Sequence, residues 1–188
     1  YAQNLTRWVN PFIGTGAVNS SLSGNNYPGA TVPFGMVQLS PDTREAPDWA
    51  QASGYDYNDS TIYGFSHTRL SGTGASELLD ILMFPTVSDK TKSAFTHQQE
   101  QARPGYYQVL LDDEGIHAEL TASVRVGVHR YTYPQGKEAR LWLDLDHSAN
   151  KGSWNRRIIQ SQIRIISPTE VEGYRIITGW AKLRKIYF

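Results

Sequence analysis

The sequence predicts an all-β fold with few or no helices, arranged as a sandwich of two antiparallel sheets. Three observations carry that expectation. After Leu78, apolar and polar residues alternate along most of the chain, the signature of strands with one buried face. Turn-forming clusters separate the alternating runs at Asp112-Asp113-Glu114-Gly115, Pro134-Gln135-Gly136 and Ser167-Pro168-Thr169, at hairpin spacing. No stretch of helical length repeats apolar residues at i, i+3, i+4 and i+7.

In chain order, residues 10–35 are mostly Gly, Pro, Asn, Ser and Thr around Phe12, Ile13, Tyr27 and Phe34. Such backbone must satisfy its hydrogen bonds with side chains or water. The apolar anchors give the loop something to bury, which favours an ordered, functional segment over a disordered one. Residues 36–40 read as a short strand stopped by Pro41-Asp42, and a second Gly/Ser/Thr-rich region covers 53–76. Ile116, Ala118, Leu120 and Ala122 then form the buried side of one strand, and Val124, Val126 and Val128 that of the next. Leu141, Leu143 and Leu145, and later Ile163 and Ile165, are expected to do the same. On that reading Asp144 and Asp146 lie on a solvated face, and His147 is a hydrogen-bonded structural histidine on the leucine side.

The chain has 188 residues, with Lys plus Arg at 18 and Asp plus Glu at 18. This zero balance argues against nucleic acid or another polyanion as the partner. With 39% hydrophobic and 19% charged residues, the chain is too apolar for disorder, and its length suits one domain over 1–188. The absence of cysteine excludes a disulfide framework, a thiolate metal site and a cysteine nucleophile. No run approaches the roughly 18 apolar residues of a membrane span. The opening Tyr1-Ala2-Gln3, with no initiator methionine and no basic-then-apolar leader, reads as a processed or a trimmed end, a signal peptide being presumed removed, and the close at Phe188 as an interruption of a longer chain.

Familiar motifs fail on spacing. Gly14-Thr15-Gly16 would need a third glycine at position 19, which is Asn19, and Ser71-Gly72-Thr73-Gly74 lacks the Gly-Lys-Ser/Thr ending of a phosphate loop. Asp56-Tyr57-Asn58-Asp59-Ser60 opens like a calcium loop, but Thr61 and His67 occupy the positions that need glycine and glutamate. Neither a serine elbow nor a His-Glu-x-x-His metal motif is present.

The dense constellation lies between Trp49 and Asp80: Trp49, Tyr55, Tyr57, Tyr63, Phe65, His67, Thr68, Arg69 and Asp80, separated by Ser and Gly. Aromatic faces stack on the C–H face of a pyranose while carboxylate, imidazole and guanidinium groups take its hydroxyls. The competing reading is that these aromatics pin long loops to a sheet.

Longer strings carry a resemblance. Val9-Asn10-Pro11-Phe12-Ile13-Gly14-Thr15-Gly16, the run Tyr27-Pro28-Gly29-Ala30-Thr31-Val32-Pro33-Phe34-Gly35-Met36, Ser53-Gly54-Tyr55 and Gly64-Phe65-Ser66-His67-Thr68 resemble the amino-terminal domain of glycoside hydrolase family 92, the exo-acting α-mannosidases. Arg103-Pro104-Gly105-Tyr106-Tyr107, His129-Arg130-Tyr131 and Gly173-Tyr174-Arg175 extend the likeness along essentially the whole chain. The resemblance implies an antiparallel sandwich of the galactose-mutarotase-like (supersandwich) type, followed by a helical α/α-barrel domain. It implies a secreted or periplasmic, inverting, calcium-dependent enzyme acting on mannose-containing glycans, with α-1,2 linkages its commonest target. Its catalytic carboxylates and its calcium are expected on the later domain, so that 1–188 holds no catalytic residue and no metal and is inactive alone. Loops of the first domain are expected to lend substrate-binding residues, here Trp49, Tyr55, His67, Thr68 and Asp80.

Three positions depart from the family pattern: Ala52 replaces a common cysteine, Asp56 a histidine, and Arg69 the second histidine of His-Thr-His. Asp56 and Arg69 are therefore expected to alter the charge facing the leaving-group sugar. The reading from a different class is a free-standing carbohydrate-binding or structural module without catalysis.

Overall fold

The computed structural model describes residues 5–16, 25–72, 76–151, 153 and 155–188; Asn19 and Thr73-Gly74, weighed above, lie outside that set. Fourteen strands and three single-turn 3-10 segments (Leu5–Trp8, Trp49–Gln51, His97–Gln99) make up the regular structure among the described residues. The all-β antiparallel expectation holds.

One sheet runs in the order β1 (Ala30–Thr31), β2 (Gln38–Asp42), β4 (Gly64–Ser66), β5 (Leu82–Thr86), β11 (Arg140–Asp144). A second runs β10 (Gly127–Thr132), β9 (Ile116–Ala122), β8 (Tyr106–Leu111), β7 (Glu100–Arg103). A third holds β12 (Ile158–Ser167), β13 (Glu170–Ile177) and β14 (Arg184–Tyr187), and β3 (Thr61–Ile62) pairs with β6 (Ser93–Ala94). The first two sheets share one core. Tyr107, Val109 and Leu111 of β8 and Ile116, Ala118 and Leu120 of β9 meet Leu39, Phe65 and Phe84 of the first sheet. Each of these is at most 1% exposed, so each contributes about 1.5–3 kcal/mol of transfer free energy where its side chain is large.

Strand β2 extends through Pro41-Asp42 instead of stopping there. Gln38 N–H donates to His67 O and Tyr63 N–H donates to the Asp42 carbonyl, so even-numbered residues face β4. The nitrogen of Pro41 therefore points to the other side, where β1 has already ended at the Ala30–Leu39 pair. The missing N–H costs no ladder bond.

Three alternation readings change. In β10 the inward positions are Gly127, His129 and Tyr131, while Val124, Val126 and Val128 are 50–57% exposed. A turn closed by Ser123 N–H to Val126 O, 2.8 Å, sets that register and puts the valines outside. Leu141 is 49% and Ile165 77% exposed, because they border a groove that no described residue fills. The Pro134-Gly136 turn joins β10 to β11 in different sheets, so it is a crossover and not a hairpin. The other two turns are hairpins, β8 to β9 and β12 to β13.

His147 follows the end of β11 and is buried, with Nε2 2.9 Å from Asp42 Oδ2, the structural histidine that was expected. Asp144 Oδ1 accepts from Asp146 N–H and His147 N–H, which ends the strand in an Asx turn. Asp146 pairs with Lys151 at 3.0 Å and Arg156 at 3.3 Å.

Candidate functional site

The loop residues of the 49–80 region are positioned by buried polar bonds. Arg69, 1% exposed, follows β4 and turns its guanidinium into the base of the loops. It donates to the carbonyls of Gln38 (3.0 Å), Ser53 (2.6 Å) and Ser40 (2.8 Å) and to the Ser66 hydroxyl (2.9 Å), and lies 3.2 Å from Asp42 Oδ1. The ring of Tyr27 lies 5.0 Å from the guanidinium carbon. A buried cation ringed in this way is a rivet between strands and loops, and it offers no donor to a sugar. The expectation that Arg69 faces a leaving-group sugar is corrected on this point.

Asp56 is likewise internal, 2% exposed. Its Oδ1 accepts from the backbone and side-chain amides of Asn58 (2.9 and 3.0 Å), another Asx turn. Tyr55 has no exposed surface, so its ring cannot stack on a pyranose; its hydroxyl donates to Glu100 at 2.9 Å. Glu100 also accepts from Tyr107 (2.6 Å) and contacts His97 Nδ1 (2.6 Å). Burial, followed by the charge of Glu100, pushes the Tyr55 phenol far above its ordinary value, so it remains a donor. The loop is thereby tied to β7.

Thr68 and Asp80 form a second knot. The Thr68 hydroxyl donates to Asp80 Oδ2 (2.6 Å) and accepts from Asp80 N–H (3.0 Å). Asp80 Oδ1 takes Arg175 Nη2 and, at 2.9 Å, Arg184 Nη2. Burial alone would raise the Asp80 pKa, but the two guanidinium groups and the Thr68 bond hold it below the ordinary carboxylate value. Leu78, Leu79 and Ile81 around this residue have φ of 75°, 62° and 57°. Three bulky residues in the left-handed region cost about 1–3 kcal/mol each and persist only where the surroundings over-determine them. Here His67 N–H donates to Asp80 O at 3.0 Å and Leu79 N–H to Thr68 O at 2.8 Å.

His67 heads a hydrogen-bonded chain. Its Nδ1 is 2.7 Å from the Ile81 carbonyl, which can only accept, so Nδ1 carries the proton and Nε2 is the acceptor. His129 Nε2, 2.9 Å away, must then donate, and His129 Nδ1 accepts from Tyr131 O–H at 2.7 Å. Burial and then its histidine neighbour push His129 down to about 3, and burial lowers His67 as well, so both rings are neutral near pH 7. Gly127 is required beside them, since a Cβ there would come within 2.9 Å of His67 Cδ2.

Among the seven expected binding residues, Trp49 has an open face. It is 58% exposed on a 3-10 turn capped by Asp48, whose Oδ1 accepts from Ala50 N–H at 2.8 Å. His67 and Thr68 border an apolar groove of about 800 Å³ that Trp49 does not line. The structure thus joins His67, Thr68, Arg69 and Asp80 into one buried framework with Asp42, and leaves Trp49 apart. Residues that the sequence reading gave no role, Glu77, His129, Tyr131, Arg175 and Arg184, complete the framework. His129 and Tyr131 share the motif His129-Arg130-Tyr131 and Arg175 ends Gly173-Tyr174-Arg175, but a pattern does not tell which side chain turns inward. No group of three or more His, Asp or Glu among the described residues could hold a metal ion. The carboxylates of Asp42 and Asp80 are spent on ion pairs, so the residues present do not fit a calcium site.

The description "Glycosyl hydrolase family 92 N-terminal domain" matches residues 8–188. The chain belongs to this family. A family 92 α-mannosidase of Bacteroides thetaiotaomicron in complex with mannoimidazole is 38% identical, superimposes with a TM-score of 0.88, and is matched over 98% of this chain and 25% of that one. An inverting family 92 mannosidase of B. thetaiotaomicron VPI-5482 is 26% identical with a TM-score of 0.69, over 92% of this chain and 23% of that one. A curated protein of Arthroderma benhamiae, described as an uncharacterized secreted glycosidase, is 28% identical over 149 residues, 71% of this chain and 18% of its own length. The family 92 domain thus spans about a fifth to a quarter of the relatives it matches. No helix of the described residues is long and apolar enough to cross a membrane.

Proposed function

We propose that this family 92 domain is the non-catalytic, substrate-side sandwich of a secreted or periplasmic α-mannosidase that removes terminal α-1,2-linked mannose from glycans with inversion. The observation that carries the reading is the match, over almost the whole chain, to a mannosidase captured with mannoimidazole. The chemistry is compatible. Inversion needs two carboxyl groups about 6.5–9.5 Å apart with a water between them. Asp42, Asp56 and Asp80 are occupied instead by arginine, histidine, hydroxyl and amide partners. On this reading acid, base and calcium belong to polypeptide outside 1–188, in a helical domain. This domain supplies Trp49 on a rigid turn and the framework that fixes the neighbouring loops.

A panel of mannobioses presented to the full-length enzyme tests the reading. Hydrolysis of the α-1,2 compound with release of β-mannose, lost on calcium chelation and restored by calcium, is the expected result. A full-length protein that leaves every α-mannoside intact would end the mannosidase reading, and preference for another linkage would end the α-1,2 assignment alone.

A further inference from the structure

A smaller cleft, of about 160 Å³, shares no lining residue with the apolar groove. It is built on the end of the first sheet. Pairing of Trp142 with Phe84 and of Asp144 with Leu82 puts these four side chains on one face. Phe84 is buried in the core, but β11 is the last strand of that sheet among the described residues, and Trp142 is 52% exposed. Trp142, Leu82 and Tyr63 supply the apolar part of the lining.

The polar part is rich in acceptors. His147 is 3% exposed and lies with Nε2 2.9 Å from a carboxylate oxygen of Asp42, so Nε2 donates. Nδ1 of the neutral ring is then an acceptor without a partner among the described residues. Asp144 takes its two backbone bonds on Oδ1, and Oδ2 takes none. Glu45 makes no hydrogen bond or ion pair among the described residues. A ligand for this lining must bring several O–H or N–H donors and one apolar face.

Its charge is limited from both sides. The carboxylates of Glu45 and Asp144, which have no cation of their own among the described residues, oppose an anion. A cation would meet Lys151 in the lining and would find the Tyr63 ring taken by Lys92, whose Nζ is 5.4 Å from the ring centroid. A neutral polyol with one C–H face meets every condition, and a pyranose is such a molecule: its C–H face suits Trp142, and its hydroxyls suit Glu45, Asp144 and His147. The space equals roughly five waters at about 30 Å³ each, which admits one sugar ring and not two.

We propose that this cleft holds one neutral hexose of a glycan longer than a disaccharide, with Trp142 as its stacking platform. That the hexose is mannose rests on the reading of the chain as part of an α-mannosidase.

The test compares two substrates of the full-length enzyme, the mannobiose it cleaves and a branched α-mannan. Trp142→Ala and Glu45→Ala should each raise KM for the mannan about three- to tenfold and leave kcat/KM for the mannobiose within about twofold. Trp142→Phe keeps a ring and should recover most of the mannan KM. Glu45 is exposed, so its replacement does not put folding at issue, and unchanged mannobiose turnover certifies the fold of the tryptophan variants. Native KM for the mannan in both alanine variants would overturn the subsite and leave the mannosidase reading intact. An equal loss on both substrates would confine the cleft to the disaccharide and overturn the proposal as well, and preference for a phosphorylated mannan that the variants abolish would overturn the neutral occupant. A native enzyme that cleaves no α-mannoside would end the mannosidase reading, and the mannose occupant with it.

Discussion

Arg69 shows how far a single residue's role depends on where it turns. Its sequence position suggested a sugar-facing charge, yet its guanidinium is spent on buried carbonyls and on Asp42. Arg69→Met should destabilise the domain by about 3–5 kcal/mol in denaturant titrations, because a buried carboxylate loses a partner and several carbonyls are orphaned. Lysine should recover little, since it lacks the planar fork. Trp49 behaves in the opposite way. Trp49→Ala in the full-length enzyme should leave stability within about 0.5 kcal/mol and lower kcat/KM roughly two- to tenfold, matching lost stacking of about 0.5–1.5 kcal/mol. Unchanged kcat/KM would remove Trp49 from the site. His129 gives a pH signature. Its folded pKa of about 3 is below the ordinary 6.5, so the unfolded chain takes up the proton first. The stability it contributes is intact above pH 6.5 and declines as pH falls from there toward about 3. His129→Gln keeps a donor for His67 and cannot titrate, so its Tm should fall less than that of the native domain across this window. A parallel loss of Tm in both proteins would refute the assignment.

Among the elements, strand β9 was legible to the residue, because Ile116, Ala118 and Leu120 are fully buried and the alternation reports them. Strand β10 was misread by one position, since a valine run and an alternating His and Tyr look equally strand-like, and only the turn at Ser123–Val126 selects the face. Strand β2 ran through its proline because the adjoining edge had ended, which no local signal reports. The attachment of β13 and β14 to the sandwich depends on Asp80. Asp80→Asn should loosen that end selectively, leaving Arg175 without a charge partner and Arg184 with Glu77 alone. Hydrogen exchange should rise in β13 and β14 while β8 and β9 stay protected, whereas uniform loss of protection would show that the knot serves the whole fold.

At the scale of the molecule, a groove with exposed Leu141, Ile163, Ile165 and Val171 is apolar surface of the kind that seeks cover. Residues 1–188 prepared alone should therefore self-associate in sedimentation experiments, and Ile165→Lys should shift them toward monomer; a monomeric native fragment would contradict this. The sequence by itself determined the all-β class, the hairpins β8–β9 and β12–β13, the structural role of His147, and, through long irregular strings, the family. These are set by local periodicity, turn chemistry and contiguous motif. The tertiary structure alone decided that Tyr55, Asp56, Arg69 and Asp80 turn inward, that His67 and His129 meet from two different sheets, and that Arg175 and Arg184 reach Asp80 from about a hundred residues away. Whether a polar side chain becomes a ligand or a rivet depends on which distant carbonyls and charges surround it once the sheets pack, and that information is not carried by its neighbours in the chain.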